Sequence, residues 1–213
     1  MLEVDEKSMK LYYSKGAGSL ADRIIINELN LPCEYESVDL RAKKTETGND
    51  FLKINIKGAV PTLIMDNGEV LTENAVILQH LADMANATHL LPPVGNVNRY
   101  RVLEWVSYIS TELHKGCSPL FNPTIPQEVK ETIFIPALKV KLAYLNQHLD
   151  QKKYLLGEDF TLPDAYLFVI LSWLKKYFHF NLSDWPQIGN YFSFLQNRAS
   201  IKKSLEQEGI IFN

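Results

Sequence analysis

Apolar residues in the first part of the chain fall into short β-type runs separated by stretches of helical period, whereas after about residue 90 every long segment has helical period. The strand-like runs are 11–13, 35–39, 62–65 and 70–72, and the helical ones 20–29 and 74–85, with a helical turn near Phe51. Asp66-Asn67-Gly68 joins the last two strands, and Asn-Gly is a strong short hairpin signal. The βαβαββα order predicts a small α/β domain whose first strands are parallel and whose last two are antiparallel. His89 to Gly95 is rich in Pro and Gly and reads as a linker. Beyond it the pattern predicts helices over 97–115, 126–150, 162–176, 187–198 and 201–208. The expected organisation is an α/β domain over 9–88, an all-α domain over 97–213, and a disordered extension over 1–8.

Composition narrows the function classes. With 46% hydrophobic and 22% charged residues, the 213-residue chain reads as an ordinary globular protein. A formal net charge of -3, with lysines scattered along the chain, offers no basic stripe for nucleic acid. The opening octet has three acidic groups and no apolar core, so neither a secretory signal nor a mitochondrial presequence is expected, and Met9 is an alternative start. The longest apolar run, 165–174, falls short of the roughly 20 residues needed to cross a bilayer, which predicts a buried helix and no membrane anchor. Cys33 and Cys117 have no motif spacing, so a reducing compartment, by default the cytoplasm, is expected.

Several positions are candidates for chemistry. Val60-Pro61 precedes a strand, where a cis peptide is worth suspecting. Such a bond would turn the Val60 amide and carbonyl outward, open to an extended peptide that adds as a strand, with Glu73 and Asn74 at a helix start receiving its charged end. Ser19 follows the Gly16-Ala17-Gly18 turn and has capping-box spacing to Asp22; Thr161 and Asp164 repeat that spacing. Ser19 also lies beyond the carboxyl end of the first strand, where ligands gather in α/β domains. His114 reads either as a helix-end histidine complementing the macrodipole or as a site residue. With Cys117 it makes only two clustered metal donors where three or four are needed, so no metal is expected. Trp105, Trp173 and Trp185 read as core packing.

Together, Lys10-Leu11-Tyr12-Tyr13, Gly16 to Ala21, Asn55 to Pro61, Leu71-Thr72-Glu73-Asn74, Thr111 to Gly116 and Phe160 to Tyr166 resemble the bacterial beta-class glutathione transferases, in order and spacing. The resemblance runs from about Met9 to the C-terminus. It implies a thioredoxin-like N-terminal domain holding glutathione, a helical-bundle C-terminal domain shaping an electrophile pocket, and a homodimer. The implied activity is detoxifying transfer of the glutathione thiolate to small hydrophobic electrophiles, with glutathione as co-substrate and no other cofactor. By motif position, glutathione would meet Lys43, Val60, Pro61, Glu73 and Asn74, with Ser107, Thr111 and His114 on the helical side, some of these reaching the site of a partner subunit.

The chain departs from that class at Gly18, where a cysteine is usual, and at Ser107 and Asn74, where Asn and Ser are commoner. Without the cysteine, no side chain at that turn can form a mixed disulfide. A glutathione-dependent disulfide reductase would then have to use Cys117. The groups expected to stabilise the thiolate are, in order, Ser19, His114 and Tyr13. The reading from another function class is a glutathione-binding carrier or regulatory protein with little catalysis.

Overall fold

The computed structural model describes residues 8–212. The expected extension therefore lies outside the described residues, apart from Ser8. Strand β1 (Met9–Tyr13) is central and pairs in parallel with β2 (Cys33–Asp39), Leu11 opposite Tyr35. On its other side it pairs antiparallel with β4 (Thr62–Ile64), which pairs antiparallel with β5 (Val70–Thr72). A two-residue strand β3 (Lys44–Thr45), too short to show in any periodicity, edges β2 and completes the order β3-β2-β1-β4-β5.

Helices α1 (Leu20–Glu28) and α2 (Asn74–Met84) cover one face of the sheet. Leu20, Ile24 and Ile25 of α1 and Ile77, Leu78 and Leu81 of α2 are wholly buried there, because a sheet face and an amphipathic helix stripe must bury each other. Tyr12, Val38 and Phe51 form a smaller cluster of their own. This α/β layer with a mixed sheet, followed by helices, is the thioredoxin-like and helical-bundle architecture that the sequence pattern and resemblance imply.

Helix α3 (Val97–Tyr108) passes through a π-helical stretch, Ile109–His114, into α4 (Lys115–Phe121). The sequence pattern predicts a helix that stops at Lys115, whereas the chain stays helical to Phe121 through Gly116 and Pro119. Burial of Cys117 and Leu120 holds the chain helical through both, a case of tertiary packing overriding propensity. A short helix α5 (Gln127–Val129) and a second π-helical stretch, Lys130–Phe134, lead into α6 (Ile135–His148). Helix α7 (Leu162–Lys176) is buried on every side over 162–174, and α8 (Pro186–Leu195) and α9 (Ala199–Gln207) close the bundle. Among the described residues, no helix is long and apolar enough to cross a membrane.

The two expected capping boxes have different outcomes. At α7 the Asp164 carboxylate accepts from the Thr161 N–H at 2.8 Å, the Thr161 hydroxyl at 2.9 Å, the Leu155 N–H at 2.9 Å and the Tyr191 hydroxyl at 2.7 Å. At α1 the box does not form. Carbonyls of Ala17 and Gly18 already take the N–H groups of Leu20 and Ala21. Ser19 is itself helical, with φ -57° and ψ -17°, and its hydroxyl turns back to Ser14. Asp22 is left fully buried with both carboxylate oxygens unpartnered.

Candidate functional site

The carboxyl end of β1, the loop before β4 and the start of α2 meet α4, α7 and the π-helical stretch along one cleft. Two cavities occupy it and share Val60 and His114. The smaller, about 180 Å³, is lined by Lys57, Glu73, Asn74, Ser110 and Tyr166. The larger, about 420 Å³, is lined by the 14–18 turn, Lys43, Phe121, Trp173 and Tyr177, and so presents an aromatic wall.

The loop before β4 is built from its own side chains. Asn55 donates to the Ala59 carbonyl and to the Thr62 hydroxyl, both at 2.9 Å, and the Val60–Pro61 peptide is cis. Lys43 adopts φ +56° and donates Nζ to the Gly58 carbonyl at 2.7 Å. This ties a flexible cation to the rim of the larger cavity. Glu73 sits between β5 and α2 at φ +72° and ψ 114°, sparsely populated backbone that is costly for a side chain other than glycine. Lys57 donates to its carboxylate at 2.7 Å and holds that carboxyl below the usual range.

Asn74 is buried at the first turn of α2. Its Nδ2 donates to the Gly18 carbonyl at 2.8 Å, and its Oδ1 has no partner. His114 comes from the π-helical stretch. Its Nδ1 lies 2.6 Å from the Tyr166 hydroxyl, and its ring packs edge-on to Trp173. A Cβ placed on Gly18 would meet Asn74 Nδ2 at 3.2 Å and His114 Cε1 at 3.3 Å, so amide and imidazole close directly over the glycine. Burial, with Lys115 adding to it, pushes the imidazole down to about 4, which keeps it neutral in the physiological range.

The 14–18 turn is held from both sides by the helical half. Trp173 Nε1 donates to the Gly16 carbonyl at 2.6 Å, and the Gly16 N–H donates to Glu208 at 2.7 Å. Glu208 also accepts from Arg23 Nε at 3.0 Å in a buried ion pair.

Of the sequence-derived site residues, Lys43, Val60, Pro61, Glu73, Asn74 and His114 line the cleft. Four do not. Ser19 is wholly buried behind the turn with its hydroxyl committed to Ser14. Tyr13 faces elsewhere, its ring 4.3 Å from the Arg23 guanidinium and edge-on to Tyr35. Ser107 and Thr111 are exposed outside both cavities, Thr111 donating to the Ser107 carbonyl at 3.0 Å. They share a face because they are one turn apart, whereas the cleft-facing pair is Ser110 and His114, also four apart but three positions on. Ser110, Tyr166, Lys57, Trp173 and Tyr177 went unrecognised in the sequence; the spacing of Ser110 to His114 was the available signal. Cys117 is buried away from the cleft and its thiol is pushed up to about 12, which removes it as the agent of a disulfide reductase.

A thioredoxin-like layer with an open strand-and-helix edge, facing an aromatic wall from a helical bundle, defines a class of two-part ligand-binding proteins. Comparison with known proteins specifies which. The family descriptions "Glutathione S-transferase, N-terminal domain" and "Glutathione S-transferase, C-terminal domain" match residues 22–89 and 108–199. The chain is 41% identical over 202 residues to glutathione S-transferase GstA of Escherichia coli O157:H7, covering 95% of this chain and 100% of that one. A beta-class glutathione S-transferase of Sphingomonas chungbukensis superposes with a TM-score of 0.90 at 38% identity, covering 95% of this chain and 100% of that one. A sphingomonad glutathione S-transferase complexed with glutathione superposes with a TM-score of 0.89 at 38% identity and the same coverage. The chain belongs to the glutathione S-transferase family.

Proposed function

We propose that the shared cleft binds glutathione in an extended form and that this chain transfers its thiolate to small hydrophobic electrophiles. The observation that carries the reading is the convergence on Val60 of an acidic helix start, an unpaired buried amide oxygen, a neutral imidazole and a lysine. The Val60 backbone pairs with the cysteinyl unit beside Pro61. Glu73 and Asn74 Oδ1 receive the γ-glutamyl ammonium, while its carboxylate lies at the amino end of α2. Lys43 meets the glycyl carboxylate as a point charge. The aromatic wall of Phe121, Trp173 and Tyr177 takes the electrophile.

That arrangement sets the sulfur beside Gly18 and His114. A free thiol with a pKa near 8.5 is about 3% thiolate at pH 7, and a fall of roughly two units needs about 2.7 kcal/mol of differential stabilisation. A hydrogen bond to a charged acceptor supplies about 1.5–3 kcal/mol and the amino end of α1 about 0.3–1. With Ser19 and Tyr13 turned away, His114 is the side-chain donor. His114→Ala should raise the pKa of bound glutathione by about 1–2 units, read from thiolate absorbance against pH. An unchanged pKa removes His114 from this role.

The proposed units are residues 9–88 for glutathione and 97–213 for the electrophile, with glutathione as co-substrate and no further cofactor. The exposed Ser107 and Thr111 face suits a homodimer in which these side chains approach the partner's site; sedimentation at micromolar concentration tests it. A detoxifying role in the cytoplasm is part of the same proposal. Retention on glutathione resin with turnover of a chlorinated nitroaromatic supports the transferase, whereas retention without turnover supports the carrier reading.

A further inference from the structure

We infer that Tyr166 is a positioning residue: by donating its hydroxyl proton to His114 Nδ1, it fixes the imidazole as the Nε2–H tautomer and so presents a hydrogen-bond donor to the bound thiolate. The inference rests on the proposed role of His114 and deepens it. A neutral imidazole carries one N–H, and which nitrogen holds it is set by the partner of the other. A thiolate needs a donor, so the opposite tautomer would turn a lone pair toward the sulfur.

The geometry bears on each alternative. Tyr166 is 1% exposed on α7, and its hydroxyl lies 2.6 Å from His114 Nδ1 across 52 positions of sequence. A phenol offers one proton and accepts through its lone pairs. Burial keeps the phenol protonated, and among the described residues the one hydrogen-bond partner of its hydroxyl is His114 Nδ1. Asn74 Oδ1 has no partner, so the phenolic proton is not committed there. His114 Nδ1 is then its acceptor.

Cε1, which joins the two ring nitrogens, sits against Gly18, 3.3 Å from where a Cβ would lie. With Nδ1 engaged by Tyr166, Nε2 is the nitrogen left for the turn and the cavity beside it. Trp173, packed edge-on to the imidazole at 4.8 Å, limits rotation about its side chain. The ring is thus held by a hydrogen bond at one nitrogen and by an aromatic contact. Charged groups acting on the pair are Lys115 beside His114, and Asp22 and Glu73 toward Tyr166.

Long-range proton–nitrogen NMR of ¹⁵N-histidine-labelled protein, with His114 assigned by loss of its signals in His114→Gln, should show Nε2 protonated and Nδ1 bare. A protonated Nδ1 overturns the proposal without reference to activity. Tyr166→Phe, which keeps the ring but removes the proton, should raise the pKa of bound glutathione by about one unit, a roughly tenfold loss of thiolate at pH well below that pKa. The Michaelis constant for glutathione should change less than about twofold if binding contacts are untouched. If His114→Ala raises the thiol pKa and Tyr166→Phe does not, the tautomer assignment is wrong. If neither variant moves it, the role of His114 in the transfer fails, and the NMR result alone decides the tautomer.

Discussion

At the scale of single residues, two buried carboxyls make opposite predictions. Asp22 has no partner for either oxygen, and burial holds its carboxyl well above the ordinary 3.8. An acid whose folded value is raised binds its proton more tightly folded than unfolded, so it withdraws stability as pH climbs above about 3.8. Asp22→Asn should therefore melt higher than the parent, with an advantage that grows between about pH 5 and pH 8; an equal gain at both would contradict this. Glu36 behaves in reverse. Against the cost of burial, hydrogen bonds from Lys10, Thr45 and Thr47 bring its carboxyl down to about 2. Its contribution is present above the unfolded value of 4.5 and disappears as pH falls through about 2. Glu36→Gln should cost about 1–3 kcal/mol near neutrality, measured by urea titration, with the difference closing in strong acid.

Among the elements, the 14–18 turn is the one whose shape the proposed chemistry depends on. Gly16 has φ +70°, and a Cβ there would lie 2.9 Å from the Tyr177 hydroxyl. Gly16→Ala should destabilise by about 1 kcal/mol or more and weaken glutathione binding, as calorimetry would show. Glu208→Ala should cost about 3–5 kcal/mol, because it strands the buried Arg23 guanidinium and frees the Gly16 N–H. This turn also shows where local patterns mislead. Ser19-Asp22 and Thr161-Asp164 have the same spacing, yet only the second caps its helix. The difference lies in the preceding chain: Thr161 is extended at φ -135°, whereas Ser19 is already helical after a turn that satisfied the first N–H groups.

Over the whole molecule, the core runs without a break from Leu11, Ile24 and Leu63 under the sheet to Val102, Leu167 and Leu171 in the bundle. Polar ties cross the same boundary. Asn27 donates to Ser204 at 2.8 Å, Arg198 pairs with Glu28, and Arg23 pairs with Glu208. Shared burial of this kind predicts one cooperative unfolding transition. Tryptophan fluorescence, which reports Trp105, Trp173 and Trp185 of the helical half, should coincide with far-UV circular dichroism of the whole chain in urea. Separated curves would mean that the two halves unfold independently. Leu171→Ala, in the helix buried on every side, should cost about 2–5 kcal/mol in the same experiment.

What the sequence alone determined is what short-range physics controls. Apolar period placed the helices other than α4 and all strands but the two-residue β3, Asn-Gly marked the hairpin, and the motifs from Val60-Pro61 to Glu73-Asn74 marked the half of the cleft built by neighbouring loops. Only the tertiary structure decided the other half. Tyr166 reaches His114 across 52 positions and Trp173 reaches Gly16 across 157, and no local pattern encodes such distances. The same packing carried α4 through Gly116 and Pro119, turned Ser107 and Thr111 outward, buried Ser19 behind the turn and faced Tyr13 toward Arg23 and Tyr35. Local preferences differ by about 1 kcal/mol per residue, while burying one large apolar side chain is worth about 1.5–3, so where the two conflict the contacts made by the folded chain decide.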